Sequence, residues 1–170
     1  MKKFYGVLFL SISIFTTAIS QTGIPRAQAM FIYNFSRLIE WPANYKSGSF
    51  VIGVLGNSNT YTELVTYTQN KSVGSQPIQV KKFDDIAEIG TCHILFVPFN
   101  KTKMMSEIVS ALGSKSTLII CEKSGAVDEG AAINFVIIGD KLKFEVKTAN
   151  ADSKKIKMSS KLSEMAYKSY

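Results

Sequence analysis

Three short, uninterrupted apolar runs constrain this chain more than anything else in it: Phe50-Val-Ile-Gly-Val-Leu-Gly56, Cys92-His-Ile-Leu-Phe-Val97 and Thr117-Leu-Ile-Ile-Cys121. Successive side chains on a strand point to opposite faces. A run with no polar member at alternate positions is therefore covered on both sides, as in a parallel sheet. Between these runs lie segments with helical patterning, Thr60 to Gln69, Asp84 to Ile89 and Thr102 to Leu112. Pro77 to Phe83 alternates in the manner of a half-exposed strand.

The pattern changes after Gly130. Ala132 to Ile138 and Lys141 to Lys147 are strand-like and separated only by Gly139-Asp140, a tight-hairpin signal. The last segment, Ser159 to Tyr170, places Leu162, Met165 and Ala166 at helical spacing. Strands alternating with helices predict a three-layer, Rossmann-like α/β fold. Its sheet is mainly parallel, with a C-terminal antiparallel hairpin and flanking helices.

The start of the chain stands apart. Lys2 and Lys3 precede an apolar run, Phe4 to Phe15, and a small-residue exit, Ala18-Ile19-Ser20. That order is read by signal peptidase. The run is about a dozen residues, short of the roughly 20 needed to span a bilayer. Residues 1–20 are thus expected to be a cleaved signal peptide, with cleavage between Ser20 and Gln21. Residues 21–170 then form one domain, large enough for a proper core. Periplasmic export follows, with no integral membrane segment in the mature chain.

Charge is unevenly distributed. The formal value is +7, and losing Lys2 and Lys3 brings it to +5. From Gln21 to Asp140 ten basic residues balance ten acidic ones, whereas residues 141–170 carry eight lysines against Glu145, Asp152 and Glu164. A solvated lysine face explains this excess, and an acidic partner or anionic headgroups would also suit it. Nucleic acid is not an expected partner, because no basic–aromatic motif is present.

Ile24 to Trp41 reads as a helix opened by Pro25 and ended by Pro42. Ala27, Phe31, Leu38 and Trp41 share one face, while Met30, Ile32, Phe35 and Ile39 cover others. So apolar a helix is buried on more than one side or supplies an interface. Phe31, Tyr33, Phe35 and Trp41 are the candidates for contact with a partner or a second copy.

Catalytic chemistry is not legible. His93 is the only histidine, and Cys92 beside it points to the other face of a strand. No G-x-S-x-G elbow, phosphate loop or dinucleotide fingerprint occurs. Two separated cysteines and one histidine fall short of a zinc site, and no cofactor is expected. A receiver-type phosphoacceptor would need acids where this chain has Gly56-Asn57-Ser58 and Pro98-Phe99-Asn100. If anything small binds, the strand ends at Gly56, Asn57 and Phe99 are the edge where ligands favour open α/β sheets.

An even cysteine count in an exported protein suggests a disulfide. Cys92 begins one expected strand, however, and Cys121 ends another. On parallel neighbours they stand about 15 Å apart at roughly 3.3 Å per residue, and a disulfide needs Cα atoms within about 7 Å. Both thiols are expected to be unpaired.

Phe31-Ile-Tyr-Asn-Phe-Ser-Arg-Leu-Ile-Glu-Trp-Pro42 resembles the opening of the YfiR-like periplasmic family. Val51 to Gly56, Cys92 to Val97, Gly130-Ala-Ala-Ile-Asn-Phe135, Lys143-Phe-Glu-Val146 and Ile156 to Leu162 resemble further family elements in the same order. The resemblance implies a regulator without catalytic activity, working as a homodimer on the periplasmic domain of an inner-membrane sensor protein such as a diguanylate cyclase. Holding that cyclase inactive lowers cyclic di-GMP and limits biofilm formation. The resemblance also implies redox control through disulfides. Many relatives carry a cysteine in the first strand where this chain has Gly53, so Cys92 lacks the expected partner. A small-ligand binding module in the periplasm is the other reading.

Overall fold

The computed structural model describes residues 23–170. The signal peptide expected over residues 1–20 lies outside the described residues, as do the first two residues of the expected domain. Helix α1 spans Gly23–Ser36 and ends earlier than its apolar content predicts. Ser36 Oγ donates to the Tyr33 carbonyl at 2.6 Å. Arg37 N–H and Leu38 N–H donate to Asn34 and Phe35 carbonyls, tightening and closing the last turn. Ile39–Glu40 then forms β1, paired antiparallel with Lys157–Met158, β9. Leu38, Ile39 and Trp41 are therefore not helical, and Pro42 follows a short strand rather than terminating a helix.

The main sheet contains β2 (Phe50–Leu55), β3 (Ser72–Val73), β4 (Gln76–Phe83), β5 (Ile94–Val97), β6 (Leu118–Cys121), β7 (Ile133–Ile138), β8 (Lys141–Val146) and β10 (Lys168–Ser169). Their order is β10-β8-β7-β6-β5-β2-β4-β3. Pairing is parallel from β4 through β2, β5 and β6 to β7. β3 on β4 and β8 on β7 are antiparallel. The result is an α/β domain with a mixed sheet and flanking helices. The β7–β8 turn is made by Gly139 and Asp140, both with positive φ, the conformation that matches a two-residue turn to strand twist.

Alternation along the buried strands divides the core in two. Ile52, Val54, Ile94, Phe96, Leu118 and Ile120 face α1 and α2, the latter spanning Asn59–Thr68. Val51, Leu55, Leu95, Val97, Ile119 and Cys121 face α3, Met105–Leu112, which supplies Met105, Ile108 and Leu112. Each fully buried aliphatic or Phe side chain contributes about 1.5–3 kcal/mol of apolar burial, so both layers stabilise the sheet.

Gly53 is where the sheet has no room for a side chain. A Cβ there would stand 2.6 Å from Phe83 Cε2 and 3.3 Å from Leu95 Cδ1. The Phe83 ring takes the space that a side chain at position 53 would need.

The C-terminal segment differs from the single helix expected. Helix α5 covers only Ser160–Met165, after a short α4, Thr148–Asp152. From Ala166 the chain is extended, because the outer edge of β8 offers carbonyls. Tyr167 N–H donates to Phe144 O at 2.8 Å and Tyr170 N–H to Val146 O at 3.0 Å. Those bonds outweigh the weak helical preference of so short a stretch.

Candidate functional site

The two ends of the sheet are built differently. At the amino end of β5, His93 lies inside a box of aromatic rings. It stacks on Phe50 at 4.2 Å and meets Tyr45 and Trp41 edge-on at 5.4 and 5.6 Å. Val51 N–H donates to His93 Nδ1 at 3.1 Å. Since Nδ1 accepts, the proton sits on Nε2, which donates to the Tyr45 carbonyl at 2.8 Å. Trp41 Nε1–H closes the box by donating to His93 O at 3.2 Å. Burial holds the imidazole pKa below its ordinary value, with the Tyr45 bond partly opposing. Both ring nitrogens are thus engaged with backbone, which leaves neither for a nucleophile–base pair or a metal.

The thiols are equally closed. Cys92 and Cys121 are free and buried. Val97 pairs with Cys121 across β5 and β6, so Cys92 lies five residues from that level. Burial pushes the Cys92 thiol up to about 11. Cys121 rises to about 12, again through burial and then through the charges of Glu129 and Glu122. Thiols so disposed are protonated and unreactive at neutral pH.

The four residues expected at an interface divide between core and rim. Phe35 is 1% exposed and packs on Phe144 and Phe135 at 4.7 and 6.0 Å. Trp41 is buried against Phe50 at 4.9 Å. These two interface candidates belong instead to the chain's own core, since the sheet they pack on is also apolar. Phe31 is half-buried beside Phe35, at 5.6 Å. Tyr33 rests on the Tyr67 ring of α2 at 5.8 Å, with Lys71 Nζ 3.4 Å from the Tyr67 centroid. Phe31 and Tyr33 keep part of their surface in solvent.

The carboxyl end of the sheet is open. A groove of about 600 Å³ lies there, walled by Phe99, Ile137, Ile138 and Leu142, with Gln28 and Glu122 at its base. Phe99 begins a 3₁₀ turn, Phe99–Met104, that holds its ring 69% exposed. Ile137 at the tip of β7 is 54% exposed. The base is rigid. Buried Gln28 donates through Nε2 to Glu122 Oε2 at 2.5 Å and accepts from Thr60 Oγ1 at 2.6 Å. Glu122 Oε1 accepts the Phe99 N–H at 2.9 Å. One amide therefore ties α1 and α2 to the end of β6, and the carboxylate ties in the end of β5.

Of the three edge residues expected from sequence, Phe99 lies on this groove, whereas Gly56 and Asn57 are not in its wall. Gly56 has φ +73 and donates to Phe83 O at 2.7 Å; Lys101 Cε occupies the place of a Cβ, 2.7 Å away. Asn57 Oδ1 accepts from Lys82 Nζ at 3.4 Å. Sequence reasoning missed Ile137 and Ile138. Two consecutive isoleucines on a half-covered strand cannot both face the core, and that was the available signal. Gln28 and Glu122 carry no local signal, being 94 residues apart.

The apolar groove thus lies on a hydrogen-bonded polar base, and the histidine and both thiols are buried. No helix among the described residues is long and apolar enough to cross a membrane. Residues 25–167 match the family model described as YfiR/HmsC-like, and the chain belongs to that family. The family is regulatory rather than catalytic, periplasmic, and consistent with control of diguanylate cyclase signalling. No curated protein matches the chain.

Proposed function

We propose that this chain is an exported, non-catalytic regulator that binds the periplasmic domain of an inner-membrane signalling protein and holds a diguanylate cyclase inactive. The observation that carries the reading is family membership over residues 25–167. The groove supports it. Phe99, Ile137 and Ile138 expose apolar surface around a common concavity, and clustered exposed apolar groups mark interaction sites in soluble domains. Phe31 and Tyr33 remain as rim contacts for the partner or for a second copy in a homodimer. The signal peptide over residues 1–20 and the fold as one domain over residues 21–170 belong to the same proposal.

Deleting the gene should raise cyclic di-GMP and biofilm mass, and restoring the exported chain should lower both. Unchanged cyclic di-GMP on deletion, in cells that express a membrane diguanylate cyclase with a periplasmic domain, contradicts the proposal. The groove's size also suits a small apolar ligand, which supports the second reading, a periplasmic small-ligand binding module. A thermal-shift screen of envelope metabolites separates the two, since only that module gains stability from one of them.

A further inference from the structure

The strand register builds a second surface that meets the groove along Val136, Ile138 and Glu145. β7 and β8 give Ile133, Phe135, Phe144 and Val146 to the core beneath α1, but nothing to the core beneath α3. Their other face is therefore packed by no helix among the described residues. Alternate residues share a face, so Lys141, Lys143 and Glu145 stand together there. Lys168 of β10 pairs with Glu145, and Tyr170, two residues on, joins them. The Tyr170 hydroxyl donates to Glu145 Oε1 at 3.2 Å, and Lys168 Nζ lies 4.3 Å from the Tyr170 ring centroid. Val136 and Ile138 of β7 stand opposite Lys143 and Lys141.

Glu145 offsets only one of the three lysine charges on this face. Its second oxygen accepts from Asn134 Nδ2 at 3.0 Å, and none of the ion pairs among the described residues involves Lys141, Lys143 or Lys168. Glu145 and Asp128 attract Lys168, and three ammonium groups against the one carboxylate of this face leave it net positive around a tyrosine and two aliphatic side chains.

We propose that this face adsorbs the protein onto an anionic phospholipid surface. Lysines beside tyrosine and aliphatic groups match the headgroup–acyl boundary, where long cationic side chains reach phosphates while apolar parts sink inward. The charge distribution adds to this. Residues 141–170 carry eight lysines against three acids, while residues 21–140 balance. Attraction to an anionic surface falls off within a Debye length, so the lysines of this face act on it most, and each one brought to it strengthens adsorption about fivefold. Adsorption would hold the regulator in the layer where a membrane sensor displays its outer domain, raising their effective concentration. That benefit rests on the function proposed above, but adsorption itself does not.

The test is flotation of the processed chain with protein-free vesicles. The chain should float with vesicles containing phosphatidylglycerol and remain in solution with phosphatidylcholine alone. About 1 M salt, where screening acts within roughly 3 Å, should release it. The triple variant Lys141→Gln/Lys143→Gln/Lys168→Gln should partition about a hundredfold less with an unchanged melting temperature. Lys81→Gln/Lys103→Gln, from the balanced part of the chain, should float like the parent. No flotation, equal flotation of the triple variant, or an equal fall in the control overturns the proposal. So does a triple variant that floats normally but loses capture of an acidic protein in vesicle-free solution, which would assign the face to that protein.

Discussion

The amino and carboxyl ends of the sheet use the same materials, aromatic rings and backbone polar groups, to opposite effect. At the amino end, Trp41, Tyr45, Phe50 and His93 close on one another, and the imidazole and indole nitrogens find carbonyl or amide partners. At the carboxyl end the hydrogen bonds among Gln28, Thr60, Glu122 and Phe99 hold a base together. There the Phe99 ring and the β7 tip are left in solvent. The lesson is that satisfied polar groups do not by themselves indicate function. What distinguishes the open end is apolar surface held out by a hydrogen-bonded frame, which costs free energy unless something covers it.

Substitutions should separate the two ends sharply. The largest effect is expected for Trp41→Ala, which opens a cavity in the closed end and should cost about 3–5 kcal/mol in chemical denaturation. An exposed interface residue would cost far less. Next is His93→Phe, which strands the Val51 N–H and the Tyr45 carbonyl. Each buried unsatisfied group costs about 1–3 kcal/mol.

His93 also makes a signed pH prediction. Burial lowers its folded pKa, so the unfolded chain binds its proton first as pH falls. The stability it contributes is whole above its unfolded value of about 6.5. It is lost as pH falls toward and through the lower folded value. Thermal melts should decline over that window in the parent and flatten in His93→Phe.

A smaller effect is expected at the base of the groove. Gln28→Leu removes the partner of Thr60 Oγ1 and Glu122 and should cost about 1–3 kcal/mol. At the rim the effect on stability should nearly vanish. Phe99→Asp and Ile137→Asp should change unfolding free energy by no more than about 0.5 kcal/mol, the usual range for surface sites. A loss as large as that of Trp41→Ala would make the rim part of the core and erase the distinction.

The sequence made the centre of the fold legible and its margins less so. β2, β5 and β6 stand out because strands covered on both faces read as unbroken apolar runs, and Gly139-Asp140 marks the tight turn between β7 and β8. The end of α1 does not stand out. Ser36 to Trp41 holds no glycine or proline, and the strand Ile39–Glu40 exists only because Lys157–Met158 comes to pair with it. The same long-range pairing defeats the helix expected up to Tyr170, where backbone bonds to Phe144 and Val146 prevail. Phe35 and Trp41 read as interface because periodicity records that a residue is buried, not what buries it. Phe99 was legible at the strand end, whereas the Gln28–Glu122 bond joins residues with no local relation.

The most direct test of the account is capture from solubilised membranes by the immobilised chain, with and without the open end. The parent should recover a membrane sensor bearing a periplasmic domain. Phe99→Asp/Ile137→Asp should recover at least about tenfold less, as loss of central hot-spot residues does, with its melting temperature unchanged. Equal recovery by the folded double variant, or no membrane protein recovered by the parent, would contradict the claim that the open end is where this regulator meets its partner.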